Sequence, residues 1–230
     1  MENEIRDFSL HSGERQTAEE LSGIRRDHVV RYEFAESLIR DRIKRKDCTG
    51  LDIFCGNGYG TYVLSRAVRS GYVFGVDGSK DAIDMANKCY SLPNNVYSWK
   101  IFPFFIPAGS FDFVVCFESL EHVEDGALML KLVLYSLKKN GIAVISVPNQ
   151  DIHPLERNPH PFHIRHYSHL DFACMLPDDF IIEDWYGQNV YEFAQGGVNT
   201  FRLLPESEIN LQRKTAGQTN VYVICRRSSQ

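Results

Sequence analysis

The apolar run Leu51-Asp52-Ile53-Phe54 leads straight into Cys55-Gly56-Asn57-Gly58-Tyr59-Gly60, and this junction constrains the chain more than any other segment. The run reads as a buried strand. A helical pattern follows, with Val63, Leu64, Ala67 and Val68 on one face and Gly71 as its stop. A strand, a glycine turn and a helix N-terminus together cradle nucleotide-like ligands. Glycine lets the backbone approach the ligand, and the first helical turn offers free N–H groups. A glycine-rich turn with no ligand is the plainer alternative.

Spacing separates the ligands. A dinucleotide fingerprint reads G-x-G-x-x-G/A. Here Thr61 holds the last place, and the third glycine comes one residue earlier, at Gly60. Tyr72 to Val76 reads as a second strand ending in Asp77-Gly78-Ser79. An acid at that strand tip accepts both hydroxyls of a ribose, although an Asp there also serves simple turns. Ser79 is placed to cap a helix carrying Ala82, Ile83, Ala86 and Cys89.

The 230 residues suffice for one α/β domain with a sizeable core. A net charge of −5 argues against a polyanion such as nucleic acid as the main partner. The basic run Arg40, Arg42, Lys44, Arg45, Lys46 is local and reads as a solvated helix end. Six cysteines contain no C-x-x-C pair, and Cys55, Cys116 and Cys225 fall in apolar runs, which suits a reducing compartment. With no visible signal peptide and no run long enough to span a bilayer, the cytoplasm is the expected location.

Further elements alternate. Residues 24–45 read as a helix, and residues 1–20 as a polar arm or lid. Val96 to Ile101 and Phe111 to Phe117 are expected strands. Ala127 to Leu137 is an expected helix closed by Lys138-Lys139-Asn140-Gly141, before a strand from Ile142 to Val147 ending at Pro148-Asn149. The His- and Pro-rich segment 150–165 has no period, and Ser168 with Asp171 caps a short helix after it. Phe180 to Tyr186 and Val221 to Cys225 supply the last strands, around an irregular insertion at 187–218. The pattern predicts a Rossmann-like, mostly parallel sheet of seven strands with helices on both faces. An N-terminal arm and helix (1–46) would sit on the substrate side of a ligand-binding domain (47–230), with insertions near 150–166 and 187–218. The ligand belongs beyond the carboxyl ends of the strands.

Together D-x-x-C-G-x-G-x-G, Phe111-Asp112-Phe113-Val114-Val115, Glu118-Ser119-Leu120-Glu121-His122-Val123 and the Leu137–Asn149 block resemble the motifs of class I S-adenosylmethionine (SAM) methyltransferases. Gly13-Glu14-Arg15 and Arg31-Tyr32-Glu33-Phe34-Ala35 resemble a lead-in of the branch associated with glycan and small-molecule O-methylation. The resemblance covers roughly residues 24–186. It implies that Cys55, Gly56, Asn57, Gly58 and Gly60 hold the methionine part of SAM, supported by Asp52. It places Asp77 and Gly78 at the ribose, Ile101 and Phe102 at the adenine, and Phe117 and Glu118 beside the sulfonium. One departure stands out: where relatives often carry an Asp for the adenine amino group, this chain has Lys100 or a close neighbour. Adenine binding then falls to backbone at Ile101 and packing by Phe102 or Phe104.

Glu118, Glu121 and His122 follow the fourth strand, and five of eight histidines lie between 153 and 169. Both segments should meet at the mouth of the cofactor site. Glu118, Glu121, His122 and His163 resemble the divalent-metal site of small-RNA 2′-O-methyltransferases, where a metal would activate a hydroxyl. Alternatively His122 or His163 is a metal-free general base, or Glu121 and His122 merely start a helix. The expected activity is SAM-dependent O-methylation of a sugar or glycan precursor, releasing S-adenosylhomocysteine. Alternatives are an aromatic or quinone hydroxyl, an RNA 2′-hydroxyl, a SAM-binding regulator without turnover, and a dinucleotide enzyme.

Overall fold

The computed structural model describes residues 10, 15–44, 47–193 and 201–227. Most of the 1–20 arm, Gly13 and Glu14 of the lead-in, Arg45 and Lys46 of the basic run, and 194–200 of the second insertion lie outside them. The order is α1 (Arg26–Arg42), β1 (Asp47–Ile53), α2 (Tyr59–Ser65), β2 (Ser70–Asp77), α3 (Lys80–Cys89), β3 (Asn95–Trp99) and β4 (Phe111–Phe117). It continues through α4 (Gly126–Tyr135), β5 (Leu137–Pro148), α5 (His169–Cys174), β6 (Phe180–Gln188), β7 (Tyr191–Phe193), β8 (Phe201–Leu203), β9 (Leu211–Arg213) and β10 (Thr219–Arg226).

One sheet has the order β3-β2-β1-β4-β5-β10-β6-β9. β1 to β5 are parallel, and β10 runs antiparallel between β5 and β6. The sheet therefore has eight strands rather than seven, because Leu211–Arg213 of the second insertion pairs with the edge of β6. That insertion also holds the small β7–β8 hairpin, so it is less irregular than its sequence suggests. Alternation along the strands divides the core. Phe113, Val115 and Phe117 pack with Ile39, Leu64 and Ile83 of α1, α2 and α3. Val114 and Cys116 pack with Met129, Leu134 and Phe172 of α4 and α5 on the other face. No helix among the described residues is long and apolar enough to cross a membrane.

Two boundaries differ from the sequence expectation. Gly71 is not a helix stop: α2 ends at Ser65, and Gly71 lies in β2 with φ 109°, its α-carbon face against the Cys48 backbone. Lys138-Lys139-Asn140-Gly141 is not a helix cap. It is an excursion within β5, whose register jumps from Phe111↔Leu137 to Phe113↔Ile142. Asp112 holds it there, accepting from Lys138 Nζ at 2.7 Å while also taking Thr49 N–H of β1 at 2.8 Å. Ser79 and Ser168 do cap α3 and α5 by accepting from the N–H groups of Ala82 and Asp171.

β1 sits between β2 and β4, so the chain leaves it toward one side first and the other later. That reversal opens a crevice beyond its C-terminal end. The crossing is tight at Gly50, where a Cβ would lie 2.0 Å from the Phe113 ring. Gly50→Ala is therefore expected to lower stability by about 1–3 kcal/mol. Urea denaturation measures this, and Phe113→Leu in the same chain should restore part of the loss. An unchanged midpoint in the single variant would show that the β1–β4 contact is looser than described.

Candidate active site

The glycine turn has three glycines for three reasons. Gly56 has φ 55°, and a Cβ there would meet nothing within 4 Å, so this position faces open space. Gly58 has φ 89°, and a Cβ would run into Ala86 of α3 and the Tyr97 ring. At Gly60 a Cβ would lie 2.0 Å from the Tyr32 ring of α1. Only the first spares room for a ligand; the other two admit neighbouring elements of the protein.

Tyr32 reaches that place because its hydroxyl donates to Asp52 Oδ1 at 3.1 Å. Thr61 donates to Asp52 Oδ2 at 2.7 Å. Asp52 is fully buried, and burial pushes its carboxyl up to about 7 against the opposing effect of the Thr61 and Tyr32 hydrogen bonds. It supports the turn from behind. Cys55 also turns inward: it is buried in the core, and burial raises its thiol. Asn57 is fully buried and donates from Nδ2 to Ala18 O at 2.9 Å, while its Oδ1 has no hydrogen-bond partner.

Asp77 lies at the tip of β2. Its Oδ2 accepts from Gly56 N at 2.9 Å, and its Oδ1 accepts from Ser79 N at 2.8 Å and Arg15 Nη2 at 3.2 Å. The expected ribose acid thus joins the glycine turn to the N-terminal arm. Next to it, Trp99 Nε1 donates to the Gly78 carbonyl at 2.9 Å. Trp99 is half exposed and was not singled out by its spacing. Ile101 is half exposed, and Phe102 makes edge-on contacts with Phe54 and Phe104. Lys100 donates its backbone N–H to Asp77 O at 2.9 Å, which ends the β2–β3 ladder.

Phe117 and Glu118 close β4. The Phe117 ring meets Tyr32 edge-on at 4.9 Å. Glu118 has φ 47°, a left-handed conformation uncommon outside glycine. Ser146 helps to hold it, taking up the Glu118 N–H at Oγ and donating its hydroxyl to Oε1 at 2.7 Å. Thr219 donates to Oε2 at 3.4 Å.

The acid–histidine segment and the His-rich loop do meet. Ile164 N donates to Glu121 O at 2.8 Å, Arg165 Nη2 to Glu124 O at 2.9 Å, and Tyr167 Oη to Leu120 O at 3.1 Å. Carbonyls assign the imidazole tautomers. His122 Nδ1 donates to Phe162 O at 3.0 Å. His166 Nδ1 donates to His153 O at 2.6 Å, so its Nε2 accepts from His163 Nδ1 at 2.8 Å, which puts the basic lone pair of His163 on Nε2. Burial, reinforced by the neighbouring imidazoles, lowers His163 to about 2, so it is neutral in ordinary solution. Ligand atoms of Glu121, His122 and His163 lie within 4.8 Å of one another. Glu118 is not in that cluster; its carboxylate oxygens face the hydroxyls of Ser146 and Thr219.

A cavity of about 460 Å³ runs between α1 and this loop. Glu118 and His163 line it with Thr219, Gln218 and Tyr191, and α1 contributes Asp27, His28 and Arg31, with Arg25 at its N-cap. His122 is not among its lining residues. The sequence places this helix on the substrate side and marks Arg31 only as part of a lead-in motif; that Arg25, Asp27 and His28 line the cavity with it follows from the fold.

Residues 26–210 match the family described as Methyltransferase domain. The chain is 28% identical over 136 residues to a "Probable S-adenosylmethionine-dependent methyltransferase" of Mycobacterium tuberculosis, covering 57% of this chain and 48% of that protein. It thus spans about half the length of that curated relative. It is 25% identical over 206 residues to the demethylmenaquinone methyltransferase of Staphylococcus aureus, covering 86% of this chain and 81% of the relative. The magnesium protoporphyrin IX methyltransferase of Synechocystis, solved with bound S-adenosylhomocysteine, superposes with a TM-score of 0.62 at 15% identity, covering 88% and 84% of the two chains. At that identity the likeness concerns the fold.

Asp52 yields a pH prediction. Its folded pKa of about 7 lies above its ordinary value, so the unfolded chain releases this proton first as pH rises. The stabilisation is complete below about pH 4 and is lost as pH rises through about 7. Asp52→Asn should flatten the fall in unfolding free energy across this window, a slope of at most about 1.4 kcal/mol per pH unit. Urea midpoints for both proteins across the window measure it. Parallel curves would mean that Asp52 is ionised in the fold throughout.

Proposed function

This chain belongs to the methyltransferase domain family, and on that premise we propose that it is a SAM-dependent O-methyltransferase acting on a hydroxyl of a sugar or glycan precursor. The observation that carries the proposal is the pairing of Asp77 with an open Gly56 at the sheet's switch point. The residues fit the cofactor: there is space at Gly56, an acid at the strand tip, and a buried Asn57 Oδ1 without a partner. SAM supplies a methyl group on a positively charged sulfur. Asp77 would hold the ribose, the Gly56–Gly60 turn the methionine part, and Ile101 and Phe102 the adenine. Phe117 and Glu118 would face the sulfonium, where an aromatic ring and a carboxylate favour positive charge.

The acceptor would enter the cavity beside Glu118. Most of its lining residues carry hydrogen-bonding groups, which can serve the hydroxyls of a sugar. α1 would act with the N-terminal arm as the substrate-side cover. Transfer breaks the carbon–sulfur bond and forms a carbon–oxygen bond, and the hydroxyl proton passes to His163 Nε2. A base of low pKa suffices, because the oxygen becomes strongly acidic as it takes up the methyl group. Holding the two reactants in line supplies several kcal/mol.

The cluster of Glu121, His122 and His163 supports a second reading of the same reaction. One carboxylate and two imidazoles suit several divalent ions, and such an ion would lower the pKa of the attacking hydroxyl.

Titration calorimetry should detect S-adenosylhomocysteine binding, and Asp77→Asn should weaken it about tenfold or more. Binding of NAD in its place would overturn the reading. With an acceptor found by screening sugars against labelled SAM, His163→Ala should lower kcat by about tenfold, below the usual range for a general base because the imidazole is so weakly basic, while S-adenosylhomocysteine affinity is kept. Unchanged turnover in that variant removes His163 from the chemistry. Loss of wild-type activity in a chelator, restored by added metal, selects the metal reading over the metal-free base.

A further inference from the structure

We propose that the acceptor carries an anionic group, a carboxylate or a phosphate, and that Arg31 of α1 binds it. The inference rests on the methyltransferase reading above and names the chemistry of the second substrate. Arg31 lines the cavity, yet only 2% of its surface is exposed. A buried guanidinium normally has its positive charge matched and its N–H groups satisfied. Here Nη1 donates to Gln188 Oε1 at 2.6 Å, a neutral amide. Nε is buried with no hydrogen-bond partner. The nearest carboxylate oxygen, Asp27 Oδ2, lies 3.8 Å from Nη2, beyond hydrogen-bonding reach.

Asp27 is already committed elsewhere. Arg25 grips it with two parallel bonds, Nε to Oδ1 at 2.9 Å and Nη2 to Oδ2 at 2.8 Å. That fork is the strong form of arginine–carboxylate pairing. His28 neither opposes nor adds to the positive charge, since an imidazole is never negative and burial keeps this one neutral. Gln188 is itself fixed, donating to the Asp27 carbonyl at 3.1 Å. The α1 wall therefore holds two guanidinium charges against one carboxylate.

Glu118 does not balance the excess. It projects from the end of β4 into the hydroxyls of Ser146 and Thr219, at the place assigned to the sulfonium. With Arg25 set against Asp27 and Glu118 set against the sulfonium, Arg31 is the remaining charge of the cavity. Most of the other side chains around it are neutral hydrogen-bonding groups, His163, Tyr191, Gln218 and Thr219 among them, with Pro148, Pro159 and Val190 the apolar exceptions. One cation among neutral donors and acceptors fits a polyhydroxylated molecule with a single negative group: an acidic or phosphorylated sugar rather than a neutral one.

The test uses the full chain and four probes in titration calorimetry. S-adenosylhomocysteine comes first; if it does not bind, the methyltransferase reading itself fails. With S-adenosylhomocysteine bound, glucuronate, glucose 6-phosphate and glucose are compared. Binding of either anionic sugar about tenfold or more tighter than glucose is the expected result, and which of the two binds identifies carboxylate or phosphate. Equal affinity for all three, or binding of none, overturns the proposal without touching the cofactor. Arg31→Gln should abolish the anion preference and leave S-adenosylhomocysteine affinity within about twofold. A variant that loses S-adenosylhomocysteine but keeps the anion preference assigns Arg31 to the cofactor's own carboxylate and overturns the proposal. The comparison within the wild-type chain stands even if Arg31→Gln does not fold, and Arg31→Lys, keeping the charge, should retain part of the preference.

Discussion

The carboxyl of Asp52 organises this molecule. It lies at the centre of the sheet, fully buried, and accepts one hydroxyl from α1 and one from α2. A carboxyl in that position is costly unless satisfied, and Tyr32 and Thr61 satisfy one oxygen each. The consequence is geometric. With its hydroxyl fixed, the Tyr32 ring spans the turn, lying edge-on to both Tyr59 and Phe117. One bond thus locks the N-terminal helix over the ends of β1 and β4. The α1 side chains in the cavity are held by that lock together with Gln188 of β6, which bonds Arg31 and the Asp27 carbonyl.

It also explains a sequence feature whose meaning the spacing alone obscured. Thr61 was informative as the residue that breaks a dinucleotide fingerprint, which says what the turn does not hold. The structure supplies the positive reason: Thr61 is a hydrogen-bond donor to Asp52. Gly60 likewise follows from Tyr32, twenty-eight residues earlier in the chain, because no side chain fits beneath its ring. The strand–turn–helix unit, the acid at Asp77 and the caps at Ser79 and Ser168 were legible because their causes are local. The end of α2, the excursion in β5 and the eighth strand were not. Each has a distant partner: the Asn94 side-chain amide, which donates to the carbonyls of Ser65 and Val68, then Asp112, then the edge of β6.

The His-rich loop shows the same limit in another form. It has no hydrophobic period, so no sequence pattern fixes its path. Its conformation is set by backbone carbonyls and amides of the segments it touches. The carbonyls of Phe162 and His153 each take an imidazole Nδ1–H, and the amide of Ile164 binds back to Glu121. Proximity of the two segments could be argued from their positions after strand ends. The direction of each imidazole lone pair could not, because it depends on a relay that runs from the His153 carbonyl through His166 to His163.

Charge placement follows from this frame. Glu118 owes its left-handed backbone and its orientation to Ser146 and Thr219, which belong to β5 and β10. Arg31 owes its burial to α1 being held down by Tyr32, one residue further along the helix. The negative group and the excess positive group of the cavity are thus fixed by separate partners, Glu118 by Ser146 and Thr219 and Arg31 by Gln188. Two opposite charges that were free to pair would screen each other and bind nothing strongly. Held by the sheet and the helix, each would be available to a ligand of opposite charge: under the proposed function, a sulfonium at Glu118 and an anion at Arg31. The Asp52 anchor therefore keeps the two substrate ends of the cavity chemically distinct.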